Sequence, residues 1–254
     1  RGAGELTAHR ILLYGASNLW LSRRAALTEL RKRFPGYLEI GLAPGPGRSY
    51  GLRAGNPLIR YEALQSVDFG FPGEVRGEKV AFLTDIGNDI AYSQPPPQIV
   101  DWVRQLTDRL QSQGYRVIVG GIPSRSLAKL HPRLFKTVAR LYYPEGSVSQ
   151  QLVTRNLEEV EIGIRDLCVE KELPYVDLDS GWYTFDRFHL KNRACQPYWQ
   201  NLLQAFPERH AFSTNWSWAA RRPLFPKKYW LVGRERVGRE EYGGLVPHST
   251  TRVR

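Results

Sequence analysis

The sequence predicts an α/β fold in which a parallel β-sheet carries helices on both faces. Short apolar runs recur along the chain, segments with helical spacing of apolar residues separate them, and glycine, proline or polar clusters mark the joins. This alternation is typical of parallel sheets, because two parallel strands need a crossover connection, usually a helix. The chain has 254 residues, of which 42% are hydrophobic, and this content is enough for a sizeable core.

The first half of the chain places two strands and a helix before a glycine-rich stretch. Residues 10–15 (RILLYG) predict a buried strand, and in residues 18–34 apolar residues recur at helical spacing until Pro35-Gly36 stops the helix. Residues 37–43 predict a second strand, which leads into PGPGRSYGLRAG, a stretch too rich in glycine for regular structure. Residues 79–86 (KVAFLTDI) predict the third strand.

The second half continues the alternation. Residues 95–114 predict a helix, because prolines open it, an apolar stripe follows one face and Gly114 ends it. Residues 115–122 and 175–178 predict the fourth and fifth strands, and residues 125–151 predict an insertion near the functional site. Two more helices are marked by apolar residues at helical spacing, Val153, Leu157, Val160, Ile164 and Leu167 in one and Trp199, Leu202, Leu203 and Phe206 in the other.

The composition changes after Pro207, which predicts a domain of residues 1–207 and a basic, Trp-rich appendage of residues 208–254. The appendage carries ten basic and four acidic residues. Its large aromatic side chains favour packing of residues 212–231 on the sheet domain, with residues 246–254 the least ordered. The alternative is an aromatic platform for sugar or single-stranded nucleic acid. Both hypotheses concern the same residues, Trp216, Trp218, Tyr229 and Trp230, with Arg221, Arg222, Lys227 and Lys228 beside them.

Charge and cysteine content restrict the partners only loosely. The net charge of +11 is compatible with an anionic partner such as nucleic acid, a polysaccharide or a membrane surface, although a solvated basic surface is the simpler interpretation. No run of 18 apolar residues predicts a transmembrane helix. Cys168 and Cys195 form neither a metal-binding spacing nor a disulfide framework, and Cys168 is expected in the core. A cytoplasmic location is favoured, but the chain starts at Arg1 without Met, so a trimmed N-terminus stays open.

Three polar motifs follow three of the predicted strands. Ser17 follows the first strand and opens a helix, Asn88 follows the third, and Asp186 and His189 follow the fifth. Loops at the carboxyl ends of parallel strands converge on one crevice. A hydroxyl nucleophile, an imidazole base with its carboxylate and an amide donor are the groups that acyl transfer requires. Gly47, or alternatively Gly45, would add a backbone N–H to the oxyanion site, because glycine has no Cβ to block the approach.

Each motif also has a simpler interpretation. Ser17 or Asn18 would then only cap the helix, and Gly87-Asn88-Asp89 would only form a turn. The glycine-rich stretch suggests a phosphate loop, but it lacks both G-K-[ST] and GxGxxG. A metal site would draw on acidic residues and one histidine near strand ends: Asp85, Asp89, Asp177, Asp179, Asp186 and His189. No HExxH and no group of histidines supports it, so no metal and no other cofactor is predicted.

The motifs together resemble the SGNH (GDSL-type) hydrolases, a family with a three-layer α/β/α sandwich and a flavodoxin-like parallel sheet. Gly15-Ala16-Ser17-Asn18 resembles the first block of the family, residues 45–49 (GPGRS) the second, Gly87-Asn88-Asp89 the third and residues 186–190 (DRFHL) the fourth. The resemblance covers residues 10–206. Two positions depart from the family pattern, Ala16 in place of Asp and Ile86 in place of Gly.

The resemblance implies a serine ester hydrolase with Ser17, Asp186 and His189 as the catalytic triad. The Ser17 and Gly47 N–H groups and the Asn88 side chain would form the oxyanion hole, and the substrate would be a small-molecule or carbohydrate ester. An O-acyltransferase on the same site is one alternative. A non-catalytic module that binds carbohydrate or a polyanion is another. The sequence indicates neither the acyl group nor the oligomeric state.

Overall fold

The computed structural model has an α/β fold and describes residues 8–34, 36–56, 59–132, 135, 149–206 and 228–231. Its strands are β1 (Ala8–Tyr14), β2 (Tyr37–Ala43), β3 (Ala54–Asn56), β4 (Ile59–Tyr61), β5 (Lys79–Leu83), β6 (Arg116–Gly120), β7 (Tyr175–Val176) and β8 (Lys228–Leu231). Six of them form the main sheet in the order β7-β6-β5-β1-β2-β8, and every neighbouring pair is parallel. The predicted parallel sheet is confirmed.

The helices cover both faces of this sheet. They are α1 (Ser17–Arg33), α2 (Pro96–Ser112), α3 (Ser124–Leu127), α4 (Gln150–Glu170) and α5 (Cys195–Gln204). Helices α1 and α5 pack together on one face, and α2 and α4 pack together on the other. The predicted three-layer α/β/α arrangement is therefore confirmed, and β1 lies inside the sheet between β5 and β2.

Strand side chains enter two cores in alternation. In β1, Ile11 and Leu13 face the core beneath α1 and α5, whereas Leu12 faces the core beneath α2 and α4. Because both faces are covered, the strands form continuous apolar runs in the sequence. On the first face Trp199 of α5 is fully buried, and its Nε1 donates a hydrogen bond of 2.9 Å to Ser22 Oγ of α1. This contact fixes the helix that carries Ser17 to its neighbour.

The glycine-rich stretch contains more regular structure than its composition predicts. Its last residues, Ala54 and Gly55, belong to β3, which pairs antiparallel with β4. A Cβ on Gly55 would lie 2.1 Å from Ile59 O, so only glycine allows the two strands to approach this closely. The expectation that residues 44–55 contain no regular structure is therefore wrong at their end.

Strand β5 ends at Leu83, three residues before the predicted end. Asp85 has a φ of 58°, in the left-handed region, and no extended strand can continue through that conformation. The chain therefore turns at Asp85, before the Asn88 motif.

Part of the predicted insertion and most of the predicted appendage lie outside the described residues. The described part of residues 125–151 includes all of α3 except its first residue, Ser124, and the sequence did not predict this helix. In the appendage, Lys228–Leu231 form β8, and their backbone pairs with β2 at the sheet edge. The side chains of Trp216, Trp218, Tyr229 and Trp230 lie outside the description, so the packing of the appendage stays a prediction. None of the helices among the described residues is both long enough and apolar enough to cross a membrane.

Candidate active site

The turn between β1 and α1 presents Ser17 at the carboxyl end of an internal strand. Ser17 is the first residue of α1 and is partly exposed. Gly15 makes the turn possible, because a Cβ there would lie 2.3 Å from Thr84 Oγ1 and 2.8 Å from Leu19 Cβ. The predicted position of Ser17, at the start of a helix that follows a strand, is confirmed.

The start of α1 is capped by a carboxylate from another segment. Asp85 Oδ2 accepts the N–H of Ala16 at 2.6 Å and the N–H of Leu19 at 3.1 Å. Ala16 is the cap residue, and no side-chain hydrogen bond of its own caps the helix. The interpretation of Ser17 or Asn18 as a mere helix cap is therefore wrong, because Asp85 takes that role.

Asp186 and His189 form a hydrogen-bonded pair in the turn between β7 and α5. Asp186 Oδ2 lies 2.8 Å from His189 Nδ1. The other carboxylate oxygen accepts the Thr184 hydroxyl at 2.6 Å and the backbone N–H groups of Phe188 and His189 at 2.9 and 3.0 Å. Four hydrogen bonds thus hold one carboxylate, and the spacing of three residues brings the imidazole to it as the sequence predicts.

The pair shifts the pKa of both partners towards the charged form. Burial alone would raise the pKa of Asp186, but the hydrogen bonds from His189, Thr184 and Phe188 outweigh it and hold that pKa well below its usual range. The hydrogen bond to Asp186 raises the pKa of His189, burial opposes the rise, and the charge of Asp85 adds to it. Asp186 thus orients the ring and favours the imidazolium that would form when His189 accepts a proton.

The Asn18 side chain joins the Ser17 turn to the His189 turn. Its Nδ2 donates to the carbonyl of Phe188 at 3.0 Å, and its Oδ1 accepts the N–H of Leu190 at 2.8 Å. These two backbone groups flank His189 on either side, and Asn18 directly follows Ser17. One side chain therefore holds the nucleophile candidate and the base candidate on adjoining segments. The contact between Ser17 Oγ and His189 Nε2 stays a prediction.

Asn88 and Gly47 lie on adjoining segments beside this turn. Asn88 Nδ2 lies 3.5 Å from the carbonyl of Arg48, the residue after Gly47. Gly47 has a φ of +70°, and the Tyr92 hydroxyl donates to its carbonyl. A Cβ on Gly47 would lie 2.9 Å from that hydroxyl, so a side chain at this position would be both strained and crowded.

The hydrogen bonds of the described residues distinguish Gly45 from Gly47. The N–H of Gly45 donates to the carbonyl of Ala16 at 3.3 Å and is therefore occupied. Within the described part of the chain, no hydrogen bond engages the N–H of Gly47 or of Ser17. Gly47 is therefore the better candidate of the two glycines.

Asp89 ties the Asn88 segment to the glycine-rich stretch. It is fully buried, and its carboxylate accepts the Ser49 hydroxyl and the N–H of Tyr50, the latter at 3.1 Å. Burial raises the pKa of Asp89, and these hydrogen bonds oppose the rise. A carboxylate in the middle of the loop is a poor neighbour for phosphate, which weakens the phosphate-loop alternative.

The side chains considered for a metal have other partners. Asp177 pairs with Arg165, and Asp179 accepts the N–H of Gly181 at 2.7 Å. Within the ranges that the structure describes, no three or more His, Cys, Asp or Glu side chains are grouped to hold a metal ion. His210 and His248 lie outside those ranges.

A cavity of about 320 Å³ lies away from these residues. It runs along β1 beside α2, and none of Ser17, Gly47, Asn88, Asp186 and His189 lines it. Its basic side chains already have partners, since Arg10 pairs with Glu39 and Lys79 with Glu74. The cavity is therefore separate from the candidate active site.

Two residues of the site were missed from the sequence. Asn18 was predicted only as part of a motif or as a helix cap, and Asp85 only as a possible metal ligand. Both act on backbone groups more than 60 positions away in the chain, and backbone partners leave no signature in a sequence. Asp85 carries one weak signal, a polar residue near the end of an apolar run.

Comparison with known proteins gives only distant matches. No protein-family model matches the chain, and no curated protein does. Among solved structures, TesA is 12% identical and matches 78% of this chain and 97% of its own, with a TM-score of 0.49. The psychrotrophic esterase EstA from Pseudoalteromonas sp. is 13% identical over 77% of this chain and 94% of its own, with a TM-score of 0.45.

An extracellular lipase from Streptomyces rimosus is 14% identical over 78% of this chain and 99% of its own, with a TM-score of 0.42. By name, one of these neighbours is an esterase and another is a lipase. At these identities and scores the likeness carries no argument about activity.

Proposed function

We propose that this chain is a serine ester hydrolase with Ser17 as nucleophile, His189 as general base and acid, and Asp186 as the carboxylate that orients His189. The observation that supports it most is the Asn18 link, which holds the Asp186–His189 pair next to the turn of Ser17. A serine hydroxyl is a weak nucleophile at neutral pH, so a base at this position is what the reaction needs.

The reaction proceeds in two halves. Ser17 Oγ attacks the acyl carbon, and its proton passes to His189. The tetrahedral intermediate then breaks its bond to the alcohol oxygen, which takes the proton from His189, and the acyl group stays on Ser17 as an ester. In the second half a water molecule gives its proton to His189 and attacks this ester. The acid leaves, and Ser17 recovers its proton.

The negative oxygen of each tetrahedral intermediate needs donors that are already in place. The N–H groups of Ser17 and Gly47, which no described residue engages, and the Asn88 amide are the donors we assign. The occupied N–H of Gly45 supports Gly47 over its neighbour. Removing one donor of this kind typically costs about 100- to 1000-fold in turnover.

A fluorophosphonate probe and p-nitrophenyl acetate test the proposal together. Wild-type protein should be labelled and should hydrolyse the ester. Ser17→Ala should lose both properties with little change in Tm, because it removes one partly exposed hydroxyl. Ser112→Ala is the matched control, since this exposed serine at the end of α2 only donates to the Arg109 carbonyl. Equal residual activity in wild type and Ser17→Ala would exclude Ser17 as the nucleophile.

The same samples separate the alternatives. An O-acyltransferase would be labelled but would transfer the acyl group to an added alcohol or sugar in preference to water, which product analysis detects. A non-catalytic carbohydrate- or polyanion-binding module would resist labelling altogether. Labelling with release of free acid as the main product supports the hydrolase.

A further inference from the structure

We infer that Asp85 is a positioning residue, whose carboxylate fixes the turn that presents Ser17 and leaves the Ser17 N–H free for the oxyanion. The inference rests on the proposed function, because it assigns Asp85 a part in the same reaction. Asp85 belongs to neither the triad nor the oxyanion donors, and it acts on them through the backbone of α1.

The hydrogen bonds of Asp85 bracket the nucleophile. A single oxygen, Oδ2, accepts the N–H of Ala16 on one side of Ser17 and the N–H of Leu19 on the other. The first N–H groups of a helix have no partner within the helix, and here an outside carboxylate selects two of them. The N–H of Ser17 lies between the two and is engaged by no described residue. The anchoring therefore fixes the turn without blocking the donor.

Helix α1 depends on this outside carboxylate. Its first turn contains no acidic residue, and its cap residue makes no side-chain hydrogen bond. A negative charge at this end is favourable, because the N-terminus of a helix carries partial positive charge. Asp85 supplies both the acceptor and the charge.

The local backbone is arranged to bring Asp85 to this place. Asp85 adopts a left-handed φ of 58°, a conformation that few non-glycine residues adopt. Opposite it, a Cβ on Gly15 would lie 3.1 Å from Asp85 Oδ2 and 2.3 Å from Thr84 Oγ1. The unusual turn at Asp85 and the bare glycine together let the carboxylate approach the start of α1.

Asp85 also acts on His189 by its charge. The charged groups that affect His189 are Asp186, in direct contact, and Asp85, from the end of β5. Burial raises the pKa of Asp85, and the hydrogen bonds from Ala16, Leu19 and Asn18 oppose the rise. Three buried tyrosines, Tyr50, Tyr183 and Tyr198, also feel this carboxylate. Burial raises their pKa values, and the charge of Asp85 adds to the rise, so all three are uncharged at neutral pH. In its ionised form Asp85 therefore favours the imidazolium of His189.

Two variants separate the hydrogen bonds that Asp85 accepts from the effect of its negative charge. Asp85→Asn keeps an oxygen acceptor and removes the charge, whereas Asp85→Ala removes both. We expect kcat on p-nitrophenyl acetate to fall roughly 10- to 100-fold in Asp85→Ala and less in Asp85→Asn, with KM little changed, because a small misplacement of the nucleophile is costly. The acidic limb of the pH profile should move to lower pH in Asp85→Asn, which a purely structural role would not cause.

Glu29→Gln is the matched control. Glu29 is another buried carboxylate of α1, and it anchors the helix to α5 by accepting hydrogen bonds from Gln196 and Gln200. It lies 12 residues from Ser17, about 18 Å along the helix. This variant should change Tm and leave kcat and the pH profile unchanged. If Asp85→Asn and Asp85→Ala behave like Glu29→Gln, the inference is overturned.

Two measurements that do not depend on activity keep the inference separate from the proposed function. Amide hydrogen exchange should be slow at Ala16 and Leu19 and fast at Ser17, and equally fast exchange at all three would contradict the anchor even if the variants do not fold. The titration of the His189 ring by NMR, assigned with His189→Gln, should move to lower pH in Asp85→Asn. An inactive wild type that shows both results would refute the esterase proposal and support the positioning role of Asp85. An active wild type that shows neither result would support the esterase proposal and refute that role.

Discussion

Replacing Asn18 with alanine should loosen the site that this side chain holds together. The change removes the hydrogen bonds to Phe188 O and Leu190 N–H and supplies no new partner for either group. Leu190 is only 3% exposed, so its N–H would be left unsatisfied at a cost of about 1–3 kcal/mol. Water can reach the Phe188 carbonyl more easily, which adds about 1 kcal/mol. The expected loss is about 2–4 kcal/mol out of a typical total of about 5–15 kcal/mol.

Urea unfolding and ester hydrolysis measure the two consequences. With a urea slope of about 2–3 kcal/mol per molar, the midpoint should fall by roughly 1 M. The turnover of p-nitrophenyl acetate should fall roughly 10- to 100-fold, because His189 loses its fixed position relative to Ser17. Asn201→Ala is the control, since Asn201 makes one hydrogen bond, to Asp177 O at 2.8 Å, in an exposed setting. It should cost no more than about 1 kcal/mol and leave turnover unchanged.

The two measurements test different parts of the reasoning. An unchanged urea midpoint in Asn18→Ala would show that the two hydrogen bonds contribute nothing to the fold. A lowered midpoint with full turnover would show that the link does not position His189, and the main support of the proposed function would be lost.

Five further predictions concern the site and the C-terminal appendage. Since the pKa of His189 is raised, ester hydrolysis should decline as pH falls through it, and Asp186→Asn should move the decline to lower pH. The depressed pKa of Asp186 stabilises the fold above about pH 3.9, so the urea midpoint should drop as pH falls below that, and Asp186→Asn should flatten the drop. Gly47→Ala should lose activity, and its Tm should fall further than that of Gly73→Ala. Gly73 has a similar φ of +66°, but a Cβ there would meet nothing within 4 Å. Removing residues 208–254 deletes a strand of the sheet and should lower Tm. EDTA should leave ester hydrolysis intact.

The fold could be predicted because its signals are local. Strand and helix periods are read within about ten residues, and covered sheet faces give apolar runs such as residues 10–15. The Asp186–His189 pair was accessible for the same reason, since three residues separate its members. The end of β5 could not be predicted, because the left-handed turn at Asp85 depends on a hydrogen-bond partner at the start of α1. An Asp within an apolar segment does not indicate such a turn.

The residues of the proposed site could be selected from the sequence, whereas the contacts that hold them could not. Ser17, Asn88 and His189 were predicted from residue type and strand-end position, which is a property of the fold. The link through Asn18 and the anchor through Asp85 join side chains to backbone groups in distant segments, and any residue can supply such groups. Sequence patterns therefore indicate candidate reactive residues before they indicate what holds those residues in place.

The departure at Ala16 becomes understandable in these terms. Ala16 is buried, its N–H donates to Asp85, and its carbonyl accepts the N–H of Gly45. A carboxylate on residue 16 would lie close to that of Asp85, and two like charges at this distance raise the cost of ionising either. With the carboxylate supplied from the end of β5, a small neutral residue before Ser17 is the compatible choice. The first turn of α1 thus receives contacts from each of the other three motif segments, through Gly45, Asp85 and the pair Phe188–Leu190, and Ser17 lies where those contacts meet.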